Sequence, residues 1–427
     1  MTATVPLGTL RPVVELRGDE MARVMWDLVR DRIVLPFLDV DLVTFDLSLP
    51  ERDRTADRIT VEAAEAVRDA RVGTKCATIT PTAERLGTGE VRRLWPSPNG
   101  TIRRTLRGVI FREPVVLGAV PRVVPGWTQP IVMARHPYGD QYQAVDFAVP
   151  GAGRLTMTYV PDDGGVAVEH EITRFGADGG VALGMHNVTD SIREFARACF
   201  AHGLTRGLPV YLSTKDTVLR SYDGAFRDTF RTVFEDEFAD RFAAAGLAYE
   251  HRLIDDMAAS ALKSGGGFLW ACKNYDGDVQ SDVVAQGFGS PGLMTSALLG
   301  EGGRVLLTEA AHGTIARHHR RWVAGEDPST NPTATILAWS RALAQRALLD
   351  DAPQVGDFAE LVERVTAGAI ESGCMTRDLA SLVGPHQAHV GTREFVDEVA
   401  RHVRDELHRT RTRAHADGPA GRAGMVS

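Results

Sequence analysis

Three arginines set among apolar and amide residues are the first candidates for chemistry in this chain. Ser97-Pro98-Asn99-Gly100-Thr101-Ile102-Arg103 places a hydroxyl, an amide and a guanidinium at the predicted start of a helix. Free N–H groups and the helix dipole favour an anion there. Arg112, in Phe-Arg-Glu, and Arg135, in Arg-His-Pro-Tyr-Gly-Asp-Gln-Tyr, add two more cations. Each guanidinium fork can grip one carboxylate, so the three together suit a polycarboxylate, whereas any one alone reads as a surface charge. Asp278 and Asp282 are four apart, which puts both carboxylates on one helix face. With Asp255 or Asp256 they make an oxygen set for a hard cation, Mg²⁺ or Mn²⁺; helix-surface aspartates are the alternative.

Lysine is rare: Lys75, Lys215, Lys263 and Lys273 stand against 44 arginines. Lysine can give up its proton when its pKa is shifted and presents a compact charge, which arginine cannot do. All four lie beside polar segments, which makes them candidates for such work. A further segment, Glu309-Ala-Ala-His312-Gly313-Thr314-Ile315-Ala316-Arg317-His318, offers a glycine loop, a hydroxyl and two basic groups suited to a phosphate, with Asn331 following. Gly287-Phe-Gly289-Ser-Pro-Gly292 has the spacing of a dinucleotide fingerprint, but no clear buried strand runs into it, so the segment is expected to be a plain loop.

The elements that would position these groups alternate between strand and helix. Val13 to Leu16 reads as a strand, and Met21, Val24, Met25 and Leu28 recur at helical spacing after it. Strands are predicted from Val72 to Ile79, ending in Thr80-Pro81; from Val210 to Ser213, just before Lys215; and from Phe268 to Cys272, just before Asp276 and Asp278. Reactive residues beyond strand ends are what an open α/β sheet produces. Leu155, Met157 and Tyr159 alternate with polar residues, as do Val166, Val168 and Ile172 beyond the turn at 161–165, which predicts a β-hairpin. Its apolar face needs cover, from a second copy or from its own domain. Ser191-x-x-Glu194 reads as a capping box opening a helix with Ile192, Phe195, Cys199 and Phe200 on its apolar face.

A chain of 427 residues has room for two or three domains. Its net charge of −8 argues against bulk binding to nucleic acid or an anionic membrane. Four scattered cysteines without a Cys-x-x-Cys pair fit a reducing compartment, so a cytoplasmic location is expected. No apolar run approaches a membrane span, and the N-terminus does not read as a signal peptide.

Several strings together resemble the homodimeric, eukaryote-like subfamily of NADP-dependent isocitrate dehydrogenases. They are Gly-Asp-Glu-Met at 18–21, Lys-Cys-Ala-Thr-Ile-Thr-Pro at 75–81, Ser-Pro-Asn-Gly-Thr-Ile-Arg at 97–103, Tyr-Gly-Asp-Gln-Tyr at 138–142, Glu-His-Arg-Leu-Ile-Asp-Asp-Met at 250–257, Trp-Ala-Cys-Lys-Asn-Tyr-Asp-Gly-Asp-Val-Gln-Ser-Asp at 270–282 and Ala-Ala-His-Gly-Thr at 310–314. The resemblance runs from about Val13 to about Val399. It implies an α/β fold of the β-decarboxylating dehydrogenase type. A large domain (1–106 and 289–410) and a small domain (107–139 and 189–288) are joined by a clasp (140–188), with a disordered tail at 411–427.

The resemblance also implies roles. Thr80, Ser97, Asn99, Gly100, Thr101, Arg103, Arg112 and Arg135 would hold the substrate, a polyanionic hydroxy acid. Asp255, Asp278 and Asp282 would hold Mg²⁺ or Mn²⁺, one of them reaching in from the second subunit of a homodimer with shared active sites. Thr78, Ile79, Arg85, Lys263, Gly313, Thr314, Ile315, Ala316, Arg317, His318 and Asn331 would bind NADP. Lys215 would help take the substrate's hydroxyl proton, and Tyr142 would protonate the enol left by decarboxylation. The implied reaction belongs to the tricarboxylic acid cycle, and neither nucleic acid nor membrane is an expected partner.

The chain also departs from the pattern. Where the family usually reads Ile-Arg-Asn-Ile-Leu-Gly-Gly, this chain has Ile102-Arg103-Arg104-Thr105-Leu106-Arg107-Gly108. In a continuing helix Arg107 would share a face with Arg103. Pro137, Gln143, His186, Asp216, Pro291 and Ala316 differ too, as does the segment 86–90. Two other readings therefore stand beside isocitrate. One is oxidative decarboxylation of a phosphonate analogue, phosphonomethylmalate, whose extra charge Arg104 and Arg107 would suit. The other is a catalytically silent nucleotide-binding regulator.

Overall fold

The computed structural model describes residues 10–87, 89 and 91–416. Its strands are β1 (Val13–Arg17), β2 (Leu42–Asp46), β3 (Val72–Lys75), β4 (Val109–Pro114), β5 (Ile131–Arg135), β6 (Val145–Val149), β7 (Gly153–Tyr159), β8 (Val168–Phe175), β9 (Gly180–Gly184), β10 (Val210–Thr214), β11 (Tyr249–Leu253), β12 (Phe268–Cys272), β13 (Met294–Gly300) and β14 (Val305–Ala310). Ten of them form one sheet in the order β11-β10-β12-β5-β4-β13-β14-β3-β1-β2. Each end of the sheet is a parallel run: β11, β10, β12 and β5 on one side, β14, β3, β1 and β2 on the other. Antiparallel β4 and β13 join the two runs.

The inner parallel strands β5 and β12 are buried on both faces, which explains why they read as continuous apolar runs, Ile-Val-Met-Ala-Arg and Phe-Leu-Trp-Ala-Cys. Around β1 and β3, the helices Glu20–Val29, Thr333–Asp350, Pro353–Glu371 and Thr392–Ala416 enclose a core centred on Trp26 and Trp339, whose rings lie 5.0 Å apart. Around β10 and β12, the helix Thr189–Arg206 presents Ile192, Phe195, Cys199 and Phe200 to Phe226 and Phe230, as its spacing predicts.

Three expectations are corrected, and the hairpin is met. The strand at Val72 stops at Lys75, not Ile79. From Ala77 on, the backbone bonds a turn and a side chain in place of a neighbouring strand: Asp19 N–H donates to Ala77 O, and Ile79 N–H donates to Asp19 Oδ2. Ser191 and Glu194 form no capping box. The helix starts earlier, at Thr189, without a side-chain cap, and Ser191 Oγ bonds His136 Nε2 at 2.9 Å while Glu194 accepts from Arg107. The hairpin β7–β8 forms, with a second antiparallel pair β6–β9 beside it. The described residues of its own chain leave it uncovered, since Met157, Tyr159, Val168 and Ile172 are 47–66% exposed. Last, residues 411–416 are helical, continuing the helix from Thr392; its basic, good helix-forming residues support this. The rest of the expected tail, 417–427, lies outside the described residues, as do Thr88 and Glu90 of the divergent segment 86–90.

No strand runs into the glycines of 287–292, as expected, but they are not a plain loop: Gly287 ends the helix Asn274–Gly287 and Gly292 sits in a short 3-10 turn. A Cβ on Gly287 would sit 2.0 Å from the Trp127 ring, and one on Gly292 would meet Asn331 at 2.7 Å.

Candidate active site

Strand register builds the floor of the site. Lys75, Glu309, Ser296 and Arg112 are successive partners across β3, β14, β13 and β4. Lys75 is 1% exposed, and its Nζ lies 3.4 Å from Glu309 Oε2. Above this row, the helix Pro98–Leu106 brings Arg103 to 4.0 Å from Glu309. Arg135, at the end of β5, extends beyond it.

The helix Asn274–Gly287 faces the arginines with acids, and Asp278 and Asp282 share its face as predicted. Arg135 Nε donates to Asn274 Oδ1 at 2.9 Å and its Nη1 to Asp278, which also accepts from Tyr142 OH. Arg112 Nη1 donates to Ser281 Oγ at 2.7 Å and to Asp282 at 3.2 Å. The Arg135 guanidinium lies 4.7 Å from the centre of the Tyr142 ring. Thus Arg103, Arg112, Arg135, Tyr142, Asp278 and Asp282 come together in one chain. Lys75, Glu309, Ser281 and Asn274 belong to the same cluster. Sequence reasoning gave them no role there, because only the sheet register and the face of a helix reveal them.

Burial and crowding set the charges. Burial, with Arg103 and Arg112 close by, pushes the Arg135 guanidinium down to about 9, and burial lowers Arg103 as well. Burial alone would raise the Glu309 carboxyl, but Lys75, Arg103 and Arg112 outweigh it and hold it below the usual range. Cations this close repel unless anions lie between them. Among the described residues, Arg112 Nε and Arg135 Nη2 are buried without a hydrogen-bond partner, as are Asn99 Oδ1, Thr78 Oγ1 and His312 Nε2. Each such atom costs roughly 1–3 kcal/mol unless something satisfies it. The two arginine donors suit an acid with several carboxylates, and Asn99 Oδ1 can accept from its hydroxyl.

The remaining substrate candidates lie at the start of the helix that carries Arg103 and after β3. Ser97 is the N-cap residue but does not cap with its side chain. Thr101 Oγ1 accepts from Arg104 at 3.4 Å, Gly100 keeps the helix start open, and Thr80 is exposed after β3. Arg107 is not part of the cluster. The helix ends at Leu106, Arg107 turns into a left-handed conformation (φ 47°), and its guanidinium bonds Glu194 at 2.9 Å. The shared face expected for Arg103 and Arg107 is therefore absent.

Lys215 and Asp255 form a second group. Lys215 Nζ donates to Asp255 Oδ1 at 2.6 Å beyond the ends of β10 and β11, and both side chains are exposed. Among the described residues no three acidic, histidine or cysteine side chains of one chain form a metal-holding set, so Asp255 does not join Asp278 and Asp282 within the protomer. Asp278 and Asp282 alone offer hard oxygen donors of the right type on one face.

The phosphate-suited segment forms a loop after β14. Ile315 takes a left-handed conformation (φ 58°), a strained one for a β-branched residue, before the helix Ala316–Val323. Thr314 Oγ1 donates to Glu20 Oε2 at 2.5 Å, and Arg85 donates to the same carboxylate. His318 Nδ1 contacts Thr330 Oγ1 at 2.8 Å. Asn331 Nδ2 donates to Asp378 at 3.0 Å. Gly313 has open space around it, and Arg317 is exposed. Ile79 N–H is committed to Asp19, while Thr78 beside it keeps its buried hydroxyl unpartnered. These residues fit a phosphate-bearing cofactor. Lys263 is not among them in one chain: it ends the helix Ile254–Lys263, which packs on β10 and β11 at the other end of the sheet.

The sequence matches the isocitrate/isopropylmalate dehydrogenase family model over residues 11–399. It is 56% identical over 396 residues to an isocitrate dehydrogenase (NADP) of Sphingobium yanoikuyae, covering 93% of this chain and 97% of that one. It is 54% identical to isocitrate dehydrogenase (NADP) 1 of Mycobacterium tuberculosis over the same lengths. An isocitrate dehydrogenase (NADP) of Glycine max is 49% identical over 411 residues, 95% of this chain and all of that one.

Proposed function

The chain belongs to the isocitrate/isopropylmalate dehydrogenase family, and on that premise we propose that it oxidatively decarboxylates isocitrate to 2-oxoglutarate and CO₂ with NADP and a divalent cation. The observation that carries this is the convergence of buried Arg103, Arg112 and Arg135 on one point, beside Asp278, Asp282 and Tyr142. Three forks match three carboxylates. Arg107, bonded to Glu194, lends no support to a more highly charged substrate.

Asp278 and Asp282 would hold the cation, with Asp255 of a second protomer. The loop from Gly313 to His318, with Thr78, Arg85 and Asn331, would hold NADP, and Lys263 of the second protomer would lie near it. When bound, the cation polarises the substrate's oxygens and NADP accepts the hydride.

The chain's own groups do the rest. Arg103, Arg112 and Arg135 orient the acid so that its hydroxyl faces the aspartates. Lys215, a compact and removable charge, takes the hydroxyl proton. Carbon dioxide then leaves from the β-keto acid, and Tyr142 OH donates a proton to the carbon of the enol that remains. Lys215 and Asp255 lie together and exposed, apart from the arginine cluster of their own chain, which supports sites shared between two protomers. The uncovered hairpin supports the same dimer.

The test is NADPH formation from isocitrate and Mg²⁺ by the purified protein, with 2-oxoglutarate as product. Absence of NADPH with isocitrate under these conditions overturns the proposal.

A further inference from the structure

Lys273 has no task in that reaction, yet the structure buries it at the junction of three site-bearing segments. It precedes the helix Asn274–Gly287 and is 7% exposed. Its Nζ lies 2.8 Å from Asp223 Oδ1 and 3.5 Å from Asp276 Oδ2. Asp223 is fully buried, and its other oxygen accepts the backbone N–H of Lys215 at 2.6 Å. A third carboxylate, the buried Asp140, sits in the turn that carries Tyr142 and accepts the Asn274 N–H at 2.9 Å and Tyr222 OH at 2.6 Å. One cation therefore pairs with two carboxylates, Asp276 in the first turn of the helix of Asp278 and Asp223 behind Lys215, and its charge also acts on Asp140 in the turn of Tyr142.

A buried carboxylate with no compensating cation must take up a proton or move. Asp223 is the most exposed to this demand: it is wholly buried and Lys273 is its only ion-pair partner among the described residues. The remaining contact of that carboxylate is the one that fixes the chain at Lys215. We propose that Lys273 is a positioning residue for Lys215, acting through Asp223 to hold the backbone from which the Lys215 side chain projects. The space between Asp223 and Asp276 suits a compact ammonium, and the wide planar fork of arginine is a poor replacement. This is consistent with lysine persisting here in an arginine-rich chain.

The inference rests on Lys215 being catalytic and on sites shared between protomers, so the experiment tests those first. Lys215→Met and Tyr142→Phe are made as homodimers and as a hybrid dimer carrying one of each. The hybrid has one intact site and should regain activity that neither homodimer has. Full kcat in Lys215→Met, or no recovery in the hybrid, overturns the parent reading. If that reading holds, Lys273→Met should lower kcat by about tenfold to a hundredfold, because a small displacement of a reacting group is enough for that. The isocitrate KM should stay within about threefold, since the arginine anchors are unchanged. In hybrids, Lys273→Met should be rescued by pairing with Tyr142→Phe and not by pairing with Lys215→Met, which a general loss of folding does not produce. Asp223→Asn should show the same kinetic and pairing behaviour, and it carries the test if Lys273→Met does not fold. Unchanged kcat in these variants, or rescue by the Lys215→Met partner, overturns the inference.

Discussion

Arg135 and Asp278 are bonded directly, while Asn274 holds the other side of the same guanidinium at 2.9 Å. The strand end and the helix are thereby locked together, and an anchor for substrate is held against an acid proposed for the cation. Arg135→Gln should lose about a hundredfold in kcat/KM for isocitrate, since a charge-assisted bond contributes roughly 1.5–3 kcal/mol and the neighbouring Asp278 is freed as well. Steady-state kinetics with varied isocitrate checks it. A loss under threefold would remove Arg135 from the substrate site.

The acids give an independent test. Asp282 is exposed and, among the described residues, bonded only by Arg112, so Asp282→Asn should leave folding intact while raising the Mg²⁺ concentration needed for half-maximal rate by at least about tenfold. Excess chelator should abolish turnover of the unmodified protein, and Mn²⁺ or Mg²⁺ should restore it. Titration of Mg²⁺ at saturating isocitrate reads both effects, and an unchanged requirement would place the cation elsewhere.

Much of this site was legible in the sequence because it depends on local spacing. The i, i+4 placement of Asp278 and Asp282 needs only a helix, and Arg103 needs only a helix that starts at Ser97. Strand ends before Lys215 and Asp278 were readable from apolar runs. What sequence could not show is set by long-range register. Lys75, Glu309 and Arg112 become neighbours only when β3, β14, β13 and β4 align. The false capping box at Ser191 failed for a similar reason, since its hydroxyl is bonded to His136, 55 residues away. The separation of Lys215 and Asp255 from the arginines is likewise a property of tertiary structure.

Cofactor choice should depend on Arg317 and His318. Both are basic, and both sit in the first turn of the helix Ala316–Val323. An extra phosphate on the cofactor's ribose would be met by Arg317 as a fork and by His318 as a donor. Arg317→Gln should cut kcat/KM for NADP by about tenfold or more and change that for NAD by less than about threefold. Parallel kinetics with the two cofactors checks the ratio. Equal loss with both would mean that Arg317 supports the fold and does not select the cofactor.

Acid should weaken the fold through His202. Its ring stacks on Phe111 with centroids 4.2 Å apart. Burial, with Arg206 and Arg341 near it, pushes its pKa down to about 4. An unfolded histidine titrates near about 6.5. Between the two values the unfolded chain binds the extra proton and the folded chain does not, so stability is full above about pH 6.5 and falls as pH drops toward about 4. The loss is on the order of 3 kcal/mol. His202→Phe keeps an aromatic stack and removes the titration, so its unfolding midpoint should fall less than that of the parent between pH 7 and pH ~4.5. Identical losses in both proteins would exclude His202 as a source.

Arg107 should prove dispensable for catalysis. Its left-handed conformation costs an arginine roughly 1 kcal/mol relative to glycine. Against that stands one ion pair with Glu194 between side chains that are 65% and 48% exposed. A pair so exposed contributes only about 0–1 kcal/mol, since water and salt screen it. The two terms nearly cancel, and neither involves Arg103, whose guanidinium lies 4.0 Å from Glu309. Arg107→Gly should therefore shift stability by less than about 1 kcal/mol and leave kcat/KM for isocitrate within about twofold. Thermal unfolding and steady-state kinetics on the same preparation decide it. A large fall in kcat/KM with stability unchanged would mean that Arg107 swings from Glu194 toward the substrate during turnover, and the extra charge at 104–107 would again point to a more anionic acid.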